Sequence, residues 1–130
     1  MNKVTENLKE VGVFFIATLD GDQPRVRPFG AAAEFEGKTY ICTNNTKACF
    51  KEMSKNPKIE ISAMYPGGEW LRLSAIVKRD ERREAKTAML EQYPELRGMY
   101  NEDDGIFEVL YLENTAGVKA SFTAEPEIIA

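Results

Sequence analysis

The chain has 130 residues, enough for one compact domain and too few for two, so a single domain over residues 1–130 is expected. Lys and Arg number 17 against 21 Asp and Glu, a net charge of -4 that removes long-range attraction to nucleic acid or anionic lipid, so any bound anion must be held by a local cluster. Apolar residues make up 43% of the chain, a normal supply for a core, and no run approaches the roughly 20 needed to span a bilayer; neither nucleic acid nor membrane is an expected partner.

The opening MNKVTENLKEV has no apolar stretch after its lysine of the kind a secretory leader needs, and the cytoplasm is the expected compartment. Val4, Leu8 and Val11 recur at i, i+4 and i+7, which predicts a short amphipathic helix over residues 3 to 10. GVFFIATL follows, β-rich and apolar on both faces, a pattern for a strand in a closed or doubly covered sheet. DGDQP is a turn by its Asp-Gly and Pro chemistry. RVRPFGAAA is extended, because the residue before proline is driven out of the helical region, and EFEGK turns the chain into the strand TYICT. Together these predict a first meander of three strands.

TKACFKEMSKN, residues 46 to 56, places Cys49, Phe50 and Met53 on one side and Lys47, Lys51, Glu52 and Lys55 on the other. Thr46 suits the N-cap and Asn56-Pro57 the stop. KIEISAM alternates as a strand, YPGGE turns, and EWLRLSAIV alternates again, with Trp70, Arg72 and Ser74 on one face and Leu71, Leu73 and Ala75 on the other. A helix from about Glu81 to Gln92 carries Ala85, Ala88 and Met89 inward and ends near Pro94. After the acidic loop NEDDG, the segments GIFEVLYLE, NTAG and VKASF read as a closing hairpin. Six or so antiparallel strands interrupted by helices point to a mainly β fold, a small barrel rather than a βαβ sheet.

The chain contains no histidine, which removes Ser-His-Asp, Cys-His and Cys/His zinc chemistry together with the commonest general base at neutral pH. Any chemistry is therefore expected from a bound cofactor. Cys42 and Cys49 are read as free thiols, and Glu34, Glu36 and the Asp103-Asp104 pair as solvated turn residues, with no metal expected.

The stretch RPFGAAAEFEGKTYICTNNTKACFKEMSKNP concentrates the chemistry. A helix opening offers free N–H groups and the positive end of its dipole, here preceded by Thr43, Asn44 and Thr46 and followed at once by Lys47. Such a place suits a phosphate. If the strand from Arg25 pairs beside the strand ending at Thr43, Arg27 completes the clamp with its planar fork of donors. Spacing alone leaves a second reading open, in which Thr46 is only a helix cap and Lys47 a solvated lysine.

In order and spacing, FFIATLDGDQPRVRPFG, GKTYICTNNTKACFKEMSKNPKIEIS and GGEWLRLSAIV resemble the pyridoxamine 5'-phosphate oxidase-like FMN-binding split barrels, above all the small branch related to 5-nitroimidazole-resistance (Nim) proteins. The resemblance runs from about Val11 to Val77 and more weakly into the closing hairpin. It implies a six-stranded antiparallel split barrel of FMN-binding type with two or three short helices, and a homodimer with FMN at the subunit interface. It also implies that Arg27, Thr43, Asn44, Thr46 and Lys47 grip the FMN phosphate, that the backbone of Pro28, Phe29 and Gly30 runs along the flavin, and that Trp70 approaches it from the other subunit. The expected function is a cytoplasmic FMN-dependent oxidoreductase acting on a small molecule. The alternatives are a non-catalytic flavin-binding or carrier protein, and a split barrel without ligand, against which the convergence of Arg27 and Lys47 argues, since two cations repel unless an anion lies between them. The chain lacks the C-terminal tryptophan and arginine of the oxidase proper and the histidine common near the flavin of Nim proteins, so fold and cofactor carry over further than substrate.

Overall fold

A computed structural model describes all residues from Met1 to Ala130. In chain order the elements are α1 (Lys3–Val11), β1 (Phe14–Asp20), β2 (Gln23–Phe29), β3 (Ala33–Phe35), β4 (Lys38–Asn44), α2 (Ala48–Lys55), β5 (Lys58–Met64), β6 (Trp70–Asp80), α3 (Arg83–Gln92), a 3-10 turn (Pro94–Gly98), β7 (Phe107–Ala120) and β8 (Glu127–Ile128). The strands form one antiparallel sheet in the order β2-β1-β5-β6-β7-β4-β3, with β8 on β7. This is the split barrel with a few helices, built from eight strands rather than six. The added strands are the short β3 and β8. No helix is long and apolar enough to cross a membrane.

Strand alternation sets the core. β5 and β6 turn Ile59, Ile61, Ala63, Leu71, Leu73, Ala75 and Val77 inward, where they join Phe14, Ile16, Ile41 and Met53 and, from α1, Val4 and Leu8. Each large side chain removed from water this way contributes roughly 1.5–3 kcal/mol. A smaller cluster of Ala31, Ala33, Tyr40, Ala85, Met89, Leu90, Phe107 and Val109 lies beneath α3. Beside it Tyr40 donates to the buried Asp80 carboxylate at 2.7 Å. Arg82 binds the same carboxylate and, more than the other contacts, holds the Asp80 pKa down at about 2.

Three sequence expectations change. β2 follows β1 in a hairpin but does not continue to β4, so the first three strands are not a meander. EFEGK turns the chain as expected, and does so as a hairpin: Phe35 faces Lys38 across Glu36 and Gly37, whose φ angles of 51° and 78° are the left-handed pair a two-residue hairpin loop requires. NTAG is not a turn. Ser74 faces Ala116 and Ile76 faces Glu113, so Ala75 stands against Asn114 and Thr115 in a β-bulge with Asn114 at φ 50°, and β7 runs through it as one 14-residue strand. Finally, β1 buries only its inner face: Phe14 and Ile16 are fully buried, whereas Phe15 on the opposite face is 47% exposed.

Candidate functional site

A cavity of about 480 Å³ opens where β2, the end of β4, the start of α2 and the 3-10 turn meet. Its lining begins with Arg27, Pro28, Phe29 and Gly30 and continues through Cys42 and Thr43 to Lys47, Ala48 and Cys49. The segment after α3 supplies the far wall with Tyr93, Leu96, Met99 and Tyr100. Size and mostly apolar lining suit a small organic ligand. β2 and β4 stand five pairings apart along the sheet, so the cavity exists because the sheet curls on itself and not because these strands pair. The supposed pairing of the strand from Arg25 with the strand ending at Thr43 is therefore absent, while the juxtaposition of Arg27 with Thr43 and Lys47 that it was meant to explain is present.

The start of α2 is open. Its N-cap residue is Lys47, not Thr46; Lys47 is extended at φ -80° and ψ 147°, and no side chain caps the helix. The first backbone bond of the helix runs from Lys51 N–H to the Lys47 carbonyl, which leaves the N–H groups of Ala48, Cys49 and Phe50 free. Thr46 is drawn away because its N–H and hydroxyl both donate to Asn44 Oδ1, at 3.1 and 2.6 Å, while Asn44 Nδ2 donates to Tyr100 at 2.8 Å. Asn44 and Thr46 thus shape the turn and do not line the cavity, whereas Thr43 lines it with its hydroxyl 3.4 Å from Cys49 Sγ. At the opposite rim, a Cβ added to Gly30 would meet nothing within 4 Å.

Arg27 and Lys47 differ in surroundings. Lys47 is exposed. Arg27 is half-buried and donates from Nη1 to Thr18 Oγ1 at 2.6 Å and from Nη2 to Glu52 Oε1 at 2.9 Å. Thr18 Oγ1 donates to the same carboxylate oxygen at 2.7 Å. That bond, with further help from Arg27, keeps the Glu52 pKa below the usual carboxylate range against the opposing effect of burial. Glu52 was expected on the solvent side of α2, yet it is 9% exposed. A signal was present, since Thr18 is the polar member of the inward row Phe14, Ile16, Thr18 and a buried hydroxyl needs a partner. Because Glu52 compensates Arg27 within the chain, the nearness of two cations does not by itself argue for a bound anion.

Cys42 lies half-buried in the cavity wall, and burial pushes its thiol up to about 12 despite the opposing Lys47 charge, so it is protonated at neutral pH. Trp70 lies elsewhere. It faces Met64 and Ala120 in the ladder and packs on Phe122 at 4.9 Å between ring centroids, away from the residues that line the cavity. In the cavity wall from Tyr93 to Tyr100, Leu96 and Met99 escaped the sequence reading. Tyr93 is fixed there by Ala32, whose N–H and carbonyl bond its hydroxyl at 3.2 and 3.1 Å.

Residues 1–116 match the family model of pyridoxamine 5'-phosphate oxidase. Among solved structures, a NimC/NimA family protein of Clostridium acetobutylicum is 55% identical, covering 98% of this chain and 89% of that one with a TM-score of 0.95. A pyridoxamine 5'-phosphate oxidase-related, FMN binding protein of Nostoc punctiforme is 15% identical over 94% of this chain and 80% of that one, with a TM-score of 0.65. The heme storage protein HutZ of Vibrio cholerae is 15% identical over 88% and 94%, with a TM-score of 0.67. The last two show likeness of fold alone. No curated protein matches the chain.

Proposed function

The chain belongs to the pyridoxamine 5'-phosphate oxidase family, in its Nim-related branch, and from that membership we propose that it is a cytoplasmic flavoprotein that binds FMN in the cavity beside α2 and serves as an oxidoreductase for a small molecule. One observation carries the reading: Lys47, Arg27 and the uncapped start of α2 meet at one side of a cavity that is otherwise mostly apolar. Free N–H groups at the positive end of a helix, with an ammonium and a guanidinium beside them, make a phosphate site. Phe29, Leu96, Met99, Tyr93 and Tyr100 give a ring system a dry wall, and the space above Gly30 lets a ligand approach the backbone. When bound, FMN supplies electron transfer at its ring. The chain's own residues hold the phosphate, fix the ring's position and exclude water.

In this proposal the molecule is a two-fold dimer. Val13, Phe15, Val26 and Met64 are 56%, 47%, 65% and 61% exposed, and the first three belong to β1, β2 and the entry to β1. A contiguous apolar surface of this kind calls for a cover, and a two-fold partner covers the same patch on both copies. Phe122, 93% exposed beside Trp70, extends that surface. The expected interface is at least about 1,600 Å² in total.

Two neighbouring readings meet specific observations. Heme would lack its commonest axial ligand, since the chain has no histidine and the Cys42 thiol is held protonated, which leaves Met99, Tyr93 and Tyr100 as the axial donors at the cavity. Absence of an imidazole for proton transfer favours, as second reading, a flavin carrier without turnover. The visible spectrum of the protein with added FMN, followed by turnover assays with NADH or NADPH and nitro, quinone and flavin acceptors, tests the proposal. A bound-flavin spectrum with turnover supports it; flavin without turnover selects the carrier; no flavin uptake refutes both.

A further inference from the structure

Arg27 is gripped from behind. Thr18 on β1, Arg27 on β2 and Glu52 on α2 close a triangle of hydrogen bonds of 2.6, 2.9 and 2.7 Å, and Thr18 and Glu52 are 2% and 9% exposed. Burying a carboxylate and a guanidinium together gives little net stability, because the desolvation of two charges offsets their attraction; apolar residues of similar size serve a fold as well. The triangle is better explained by what it does to the arginine. A guanidinium carries five N–H donors, and the triangle uses two of them on a side chain that also lines the cavity. The remaining donors belong to a fork whose plane is already fixed.

We infer that Thr18 and Glu52 are positioning residues that hold the Arg27 guanidinium ready for the phosphate of the flavin and so set the preference for phosphorylated over unphosphorylated flavin. The inference rests on the FMN reading above. Its physical basis is preorganisation: an arginine already locked does not have to be ordered when the anion arrives. Glu52 also has an opposing effect, since its negative charge lies near the same phosphate. The two effects separate by substitution. Glu52→Gln keeps an oxygen that accepts from both Thr18 and Arg27 but removes the charge. Glu52→Ala removes both.

The test is the ratio of riboflavin to FMN dissociation constants, measured by titration for wild type, Arg27→Ala, Thr18→Val, Thr18→Ser, Glu52→Ala and Glu52→Gln, with thermal unfolding of each. Thr18→Val and Glu52→Ala are expected to lower the ratio about two- to tenfold, the equivalent of ordering one long side chain on binding. Thr18→Ser restores it, and Glu52→Gln holds or raises it. A merely structural triangle would lower the melting temperatures and leave the ratio untouched, and that result overturns the inference while Arg27→Ala still lowers the ratio. Should Glu52→Ala not fold, the near-isosteric Thr18→Val with its serine rescue decides alone. A wild-type ratio near one refutes the phosphate reading itself, and the inference with it.

Discussion

The barrel core and the cavity end are built to opposite rules. In the core, facing strands fill each other's gaps: Leu71 and Leu73 are fully buried, and no buried side-chain nitrogen or oxygen in the chain is left without a partner. At the cavity end, three helix N–H groups are free, Lys47 is exposed, and apolar side chains line open space. The difference teaches where function resides, because residues that complete the core answer to stability and residues left incomplete answer to a ligand. Substitutions should therefore divide into two kinds.

The largest effect belongs to the core. Leu73→Ala removes a fully buried side chain and should destabilise the protein by about 2–5 kcal/mol in chemical denaturation. If the variant keeps its stability but loses flavin, the division fails. Phe15→Glu tests the outer face of β1, which resembles core in composition but is exposed in the single chain. Burying a charge at the proposed two-fold interface should dissociate the proposed dimer with a cost of at least about 2 kcal/mol per site, leaving a folded monomer in sedimentation. An unfolded variant would assign Phe15 to the fold instead.

Acid tests the polar network beside the smaller cluster. The Asp80 pKa is lowered from 3.8 to about 2, so its stabilising contribution is complete above the ordinary aspartate range and is lost as pH falls from about 4 towards 2. Asp80→Asn should be less stable at neutral pH and show a shallower loss over that window, with FMN affinity unchanged. The smallest effect concerns Cys42. Its protonated, half-buried thiol should react with iodoacetamide at neutral pH far more slowly than a free thiol, and added FMN should slow it further, since Cys42 lines the cavity. Alkylation at the unfolded rate would place the thiol in a different setting.

Local pattern revealed most of the elements. KIEISAM alternates in sequence and in burial, and α2 ends at the Asn56-Pro57 stop. Arg27 and Lys47, which line one cavity, were read together because short-range chemistry marks a helix opening and a supposed pairing of their two strands, absent from the sheet, brought in the arginine. What local pattern misses is long-range. Asn114 has the same left-handed preference in a bulge as in a turn, so only the ladder with β6 distinguishes them. Pro94 ended α3 as expected, but proline also suits a helical first position, and the 3-10 turn it opens carries Leu96 over the cavity. Glu52 looked like a solvent-facing partner of three lysines until the placement of β1 supplied Thr18.

The central claim is that the cavity recognises a flavin through its phosphate, and Lys47→Ala tests it most directly. The Lys47 side chain makes no capping bond, so the helix loses nothing with it. One charge-assisted contact to a partly shielded phosphate is worth roughly 1.5–3 kcal/mol. Equilibrium titration should accordingly show FMN affinity falling about 10- to 150-fold while riboflavin affinity hardly changes. Equal losses for both ligands, or no loss for either, would contradict the account and leave Lys47 an ordinary surface lysine.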